Sequence, residues 1–259
     1  MGHSRGRGSR FRACHLRHPG NPHPHRHHHQ HPPNADGPLP GRLTMDEPHT
    51  GFRDPTDLTK WTKGFLYASI PLAALSVAGS WRNYWWHANT GEPPPSLEGP
   101  FAGLVVLFAV PVLVVMLGTA ILVLMWIHRA NYNARALGAT RMEFTPGWAV
   151  GWYFIPIANF WKPYQAMKEI CRASLRPSRW WEEKAPSLLP LWWGLWLLSS
   201  GAGGISWTAS TEEVESVSEI VRQALSIPLA LVLIRIISNV HLMQMAHYRT
   251  RDAEESDHE

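Results

Sequence analysis

The run FAGLVVLFAVPVLVVMLGTAILVLMWI, residues 101–127, contains 27 residues and not one charged side chain. An α-helix rises about 1.5 Å per residue and a bilayer's hydrocarbon core is about 30 Å thick, so about 20 apolar residues cross it. This run is longer than that and lacks the polar stripe of a helix packed on a soluble core. It predicts a transmembrane helix whose surplus length is taken up by tilt or by a kink at Pro111.

Three further runs of the same kind flank it. Residues 186–207 carry no charge and include the small-residue stretch SSGAGG at 199–204, which lets a neighbouring helix approach closely. Residues 65–81 form a shorter run, with Lys60 and Lys63 before it and Arg82 after it. Residues 220–243 form the fourth, with Arg235 taken as the charge that interrupts it. The chain is therefore expected to be an all-α integral membrane protein with four transmembrane helices over 45–248 and an acidic tail over 249–259. Trp61, Trp81, Trp85, Trp86, Trp126, Trp180, Trp181 and Trp207 fall near the ends of these runs, where an indole's apolar body and single donor suit the headgroup layer.

The connector between the second and third spans, residues 128–185, holds nine Lys or Arg against four Glu, whereas 211–219 holds four Glu and no basic residue. Basic loops stay on the cytoplasmic side. Both termini and the connector are thus expected in the cytoplasm, at a cell's inner (plasma) membrane. Residues 144–161 are also free of charge, but Pro146, Gly147, Gly151, Pro156 and Asn159 interrupt them and Lys162 follows. A fifth span would carry the basic residues after it outside. The segment is expected instead to lie in the interface or to re-enter partway, with Trp148, Trp152, Tyr153 and Trp161 at headgroup depth.

The whole chain has 259 residues, a formal charge of +4 and a mean hydropathy of -0.19, values that look soluble and basic. Both come from residues 1–44, where seven Arg face a single acid, Asp36, among nine His and seven Pro. Such a segment is expected to be disordered. Met45 opens residues of ordinary composition and is an alternative start. His25, His27, His28, His29 and His31 are metal-ligand types, but a loose tract of this kind fixes no geometry. Two cysteines, Cys14 and Cys171, exclude a disulfide scaffold.

The connector carries HRANYNARALGA (128–139), FTPGWAVGWYFIPIAN (144–159) and FWKPYQAMKE (160–169), followed by Arg172, Ala173 and Ser174. Together with FRDP (52–55), LTKW (58–61) and WWGLW (192–196), these blocks resemble the DUF4328 family of bacterial membrane proteins, over roughly residues 50–248. The resemblance implies a multispan membrane protein and supplies no activity, cofactor or catalytic residue. It also leads one to expect an aromatic residue where Cys171 stands.

Polar groups near spans are the natural candidates for function, since they are costly in lipid. Arg235 is expected either to snorkel to the inner headgroups or to act as a buried cation, with Glu169 the available carboxylate. Gln165 and Glu169 are four apart and so share a helical face. Glu169 and Arg172, three apart, are the simpler expectation as a surface pair. Arg129, Asn131 and Asn133 would cap the second span and bind lipid phosphates, or line a site with the dipping segment. Pro163 and Tyr164 complete the motif set. His128 and His241 lie near inner span ends, but no spacing motif points to haem. No phosphate loop, zinc pair or nucleophile elbow occurs, so no catalytic residue or cofactor is expected. Membrane-apposed Lys and Arg point to anionic lipid rather than nucleic acid. The leading expectation is a non-enzymatic scaffold or interaction protein whose block from Arg129 to Ser174 meets lipid headgroups, a protein partner or a second copy of the chain. A small transporter or channel component is the alternative, and a membrane-embedded enzyme the third.

Overall fold

The computed structural model describes residues 51–92 and 102–257. The 1–44 tail, with the metal-ligand candidates His25, His27, His28, His29 and His31, and the Met45 start lie outside them. Six α-helices occur among the described residues, with 3-10 turns after the third and fourth, and no strand. They are α1 (Thr56–Thr90), α2 (Ala102–Ala136), α3 (Pro146–Gly151), α4 (Lys162–Leu175), α5 (Leu188–Thr208) and α6 (Glu212–Ser256).

Helices α1, α2, α5 and α6 are long and apolar enough to cross a membrane. Helices α1 and α6 contain their expected runs, α2 and α5 begin one and two residues inside theirs, and all four continue past the expected C-terminal end; α6 continues through most of the acidic tail. Pro71, Pro111 and Pro228 sit inside continuous helices, as neighbouring groups in a membrane bundle permit. Gly91 ends α1 in a left-handed conformation, φ 70°, with its N–H on the His87 carbonyl. Gly138, φ 102°, does the same for α2, where the Ala139 N–H reaches back to the Ala134 carbonyl at 3.1 Å. A Cβ would strain either position.

Helix α6 packs along both α1 and α5, and α2 lies against α1. At position 118 of α2 a Cβ would stand 2.3 Å from the Phe65 ring, so Gly118 makes room for α1. The Phe52 ring stacks on Tyr248 at 4.5 Å and Arg251 donates to the Ala136 carbonyl, which puts the start of α1, the end of α2 and the end of α6 at one end of the bundle. His87 and Glu212 meet at the other end.

The tight core sits at the connector end. Trp126, Ile127, Met167, Ile170, Leu189, Ile237 and Val240 are all at most 1 % exposed. Away from it, Leu113, Met116, Leu117 and Ile121 of α2 are exposed, as lipid-facing side chains should be when helices associate by packing rather than by escape from water. Two expectations are corrected here. Trp126 belongs to the core and not to an interfacial belt, because its face of α2 turns inward; Trp61, Trp81, Trp85 and Trp207 are exposed, as a belt requires. The SSGAGG stretch is only half packed. Ala202 is buried, whereas Gly201 and Gly204 face open space.

Candidate functional site

Residues 146–161 do not cross the bundle. Thr145 caps α3 by accepting the Trp148 N–H at 3.3 Å, and Pro146 fills the first turn, where no N–H is needed. After six residues the helix gives way to 3-10 turns at Trp152–Phe154 and Ala158–Phe160. The outward side of this segment is apolar: Trp148 is 53 % exposed, Phe154 71 %, Ile157 74 % and Phe160 61 %. Trp161 and Pro156 are exposed with them, while Trp152 is half-buried against Trp148, the rings 4.9 Å apart. Gly147 has open space around its Cα, and Asn159 keeps a buried side-chain oxygen without a partner.

A buried polar latch holds this apolar surface out. Glu169 of α4 is 5 % exposed and accepts the backbone N–H of Glu143 at 2.6 Å and of Phe144 at 3.1 Å. The Asn131 amide donates to the Phe144 carbonyl at 3.0 Å. Arg135 spans the same turn, donating to Asn131 Oδ1 at 3.3 Å and to the Met142 and Phe144 carbonyls at 2.9 and 3.0 Å. Asn133 grips both backbone groups of Arg53, its Nδ2 donating to the carbonyl at 2.8 Å and its Oδ1 accepting the N–H at 3.2 Å. Gln244 of α6 closes the set, donating to the Ala130 carbonyl and to Ser174 Oγ, each at 2.9 Å. Burial pushes the Glu169 carboxyl above its usual range; the two N–H donors and Arg135 pull the other way without cancelling it.

The latch replaces several expectations. Asn131 and Asn133 are wholly buried, so they neither cap the span towards water nor touch lipid phosphates. The Glu169–Arg172 surface pair is not formed: Glu169 turns inward, while Arg172 donates to the Trp181 carbonyl and lies over the Trp180 ring. Gln165 is exposed and Glu169 buried, so their shared helical face divides at the edge of the packing. Arg235 lies on the exposed side of α6 with Ile234, Ile236 and Ile237 buried beside it, which suits snorkelling and not a buried cation. Pro163 is buried at the start of α4, and Tyr164 meets Trp193 of α5, ring centroids 6.3 Å apart. Cys171 is buried and its thiol is pushed up to about 12, so it is an inert packing residue. Among the described residues no three His, Cys, Asp or Glu gather as metal ligands.

Two residues escaped the sequence. Arg222 is a second charge in the fourth run; it pairs with Glu219 at 2.5 and 2.7 Å and packs over Gly203 of α5. The three-residue spacing of Glu219 and Arg222 was the available signal. Arg135 was the other: it lies inside the block HRANYNARALGA, but its carbonyl partners are backbone atoms that carry no sequence mark.

Beside the latch, a cleft of about 420 Å³ is lined by Arg53, His128 and Arg129 together with Leu58, Ile121 and Met125. Basic and apolar side chains in one cleft match the two parts of an anionic lipid.

Fold and site together define a helical membrane protein with four spans and a latched aromatic segment at one end of the bundle. The family model for a domain of unknown function, DUF4328, matches residues 100–246, more than half of the chain and all of the latch except Arg53. The chain belongs to the DUF4328 family. The first span lies outside the matched residues. Neither a curated protein nor a solved structure matches the chain.

Proposed function

We propose that this protein is a non-enzymatic scaffold of the cell's inner (plasma) membrane, with both termini in the cytoplasm and the aromatic segment seated in the inner headgroup layer. The observation that carries this reading is the row of exposed apolar side chains, Trp148, Phe154, Ile157, Phe160 and Trp161, on a segment broken into a six-residue helix and two 3-10 turns. In water such a patch would be unfavourable; at a headgroup boundary it is at home. Its depth is fixed by the latch, which joins α2, α4 and the turn between them. The excess of Lys and Arg at this end supports a cytoplasmic placement. A transporter reading draws less support, because Arg235 faces outward from the bundle.

The cleft at Arg53 and Arg129 gives this reading a lipid preference. Each basic side chain near an anionic surface contributes about 1 kcal/mol. Melting of the reconstituted chain should therefore be higher in phosphatidylglycerol vesicles than in phosphatidylcholine vesicles. The double variant Arg53→Gln, Arg129→Gln should lose most of that difference. Equal melting of the parent chain in both lipids would refute the preference. A protein partner that copurifies with the parent and is lost when 144–165 is altered would replace lipid as the occupant.

A further inference from the structure

Two cations of the cleft beside the latch stand without a counter-charge. Arg53 and Arg129 both line it, and neither enters an ion pair among the described residues. Neutral groups hold them instead. The Arg53 guanidinium lies over the Tyr132 ring at 4.5 Å, and Arg129 donates to the Asp54 carbonyl at 3.4 Å. The backbone of Arg53 is clamped in turn by the buried Asn133, which engages both its N–H and its carbonyl. The two guanidiniums are thus placed in advance of any ligand, which reduces the entropy lost when an anion binds them.

The apolar lining continues from them along the same helices. Ile121, Met125, His128 and Tyr132 recur at intervals of four, three and four, so they share one face of α2. At about 1.5 Å per residue, Ile121 lies about 12 Å from Arg129, away from the connector end. Leu58 likewise stands inside α1, whereas Arg53 precedes that helix. A phosphate with an acyl chain beneath it has the same order. The phosphate can be specified further. A phosphodiester offers one negative charge and two unesterified oxygens; a monoester offers three oxygens and close to two charges at neutral pH. Each guanidinium fork takes two acceptor oxygens side by side, so two forks are better matched by the monoester. We propose that the cleft binds a lipid with a terminal phosphomonoester, its phosphate on Arg53 and Arg129 and an acyl chain beside Ile121 and Met125. The inference deepens the anionic-lipid reading given above and rests on it.

Calorimetric titration of the full chain in detergent tests it at about pH 8, where the second proton of the monoester is off. Dioctanoyl phosphatidic acid, phosphatidylglycerol and phosphatidylcholine are the probes. The parent chain should bind phosphatidic acid about five- to tenfold more tightly than phosphatidylglycerol, the worth of one further hydrogen bond. Arg53→Gln, Arg129→Gln should bring that ratio to about one while melting without lipid stays at the parent's value. Arg179→Gln, Lys184→Gln, which removes as much charge from exposed sites outside the cleft, should keep the ratio. Excess glycerol 3-phosphate, the headgroup without its chains, should not displace the lipid. Equal binding of phosphatidic acid and phosphatidylglycerol, both above phosphatidylcholine, would overturn the phosphomonoester and leave the anionic preference standing. Equal binding of all three would remove that preference as well. Retention of the ratio by the cleft variant, its loss in the exposed variant, or displacement by glycerol 3-phosphate would each overturn the proposal.

Discussion

Glu169→Leu should lower the melting temperature of the detergent-solubilised protein by about 10 °C, the largest single effect expected. The substitution strips the Glu143 and Phe144 N–H groups of their acceptor and leaves Arg135 without its facing carboxylate. Unpaired buried groups cost about 1–3 kcal/mol each, so a loss of about 3–5 kcal/mol follows. For a chain of this size that corresponds to several degrees per two kcal/mol. Amide exchange should rise first over residues 142–161, which the latch positions, and not over the spans. Glu169→Gln keeps one acceptor and should cost less, and it also isolates the charge. Because burial raises the folded-state pKa of Glu169, the folded protein holds that proton more tightly than the unfolded chain does. Stability from this group is therefore present below the ordinary carboxylate pKa and lost as pH rises through the raised value. Melting of the parent relative to Glu169→Gln should thus improve on acidification from neutral pH. A parent and variant with parallel pH profiles would remove the carboxylate from the latch.

The paired substitution Phe154→Asp, Ile157→Asp should act in the opposite way, sparing the fold and abolishing the membrane contact. Both side chains are more than two-thirds exposed, so melting in detergent should stay within about 1 kcal/mol of the parent. In a bilayer each Asp costs up to about 3 kcal/mol at a span's centre and less towards the headgroups, so about 2–4 kcal/mol for the pair should lift the segment into water. An environment-sensitive dye on Phe160→Cys reports this. Its emission in vesicles should be that of an apolar medium in the otherwise unaltered chain and should shift to a water-like value in the double variant. Water-like emission from both chains would mean that the segment never entered the interface, leaving its apolar row for a protein partner.

How much of this was legible follows from what each residue does. The four spans were legible because a membrane helix is written in hydropathy alone; Pro111 and Pro228 do not hide it. The broken helix over 144–161 was legible from its Pro and Gly spacing. The latch was not. Asn131, Asn133 and Glu169 looked like groups reaching for lipid or ions because their true partners are backbone atoms of Arg53, Glu143 and Phe144, and a backbone amide looks the same at every position. Trp126 and Trp61 are both indoles near span ends, and only the direction each helix face takes in the packed bundle separates the buried one from the exposed one. Tyr153 was picked out with Trp148, Trp152 and Trp161 as a headgroup-depth aromatic, whereas its hydroxyl is sealed inside the bundle.

The most direct measurement is labelling of single cysteines in intact cells with a membrane-impermeant thiol reagent, in a background lacking Cys14. One cysteine replaces Arg179, on the connector after α4; another replaces Ser210, between α5 and α6; both positions are exposed. A four-span bundle with an interfacial aromatic segment predicts labelling at 210 from outside and at 179 only after the cells are opened. Labelling at 179 and not at 210 in intact cells would mean a fifth span at 144–161 or an inverted bundle, and either would contradict the proposed placement of the connector and of the C-terminus.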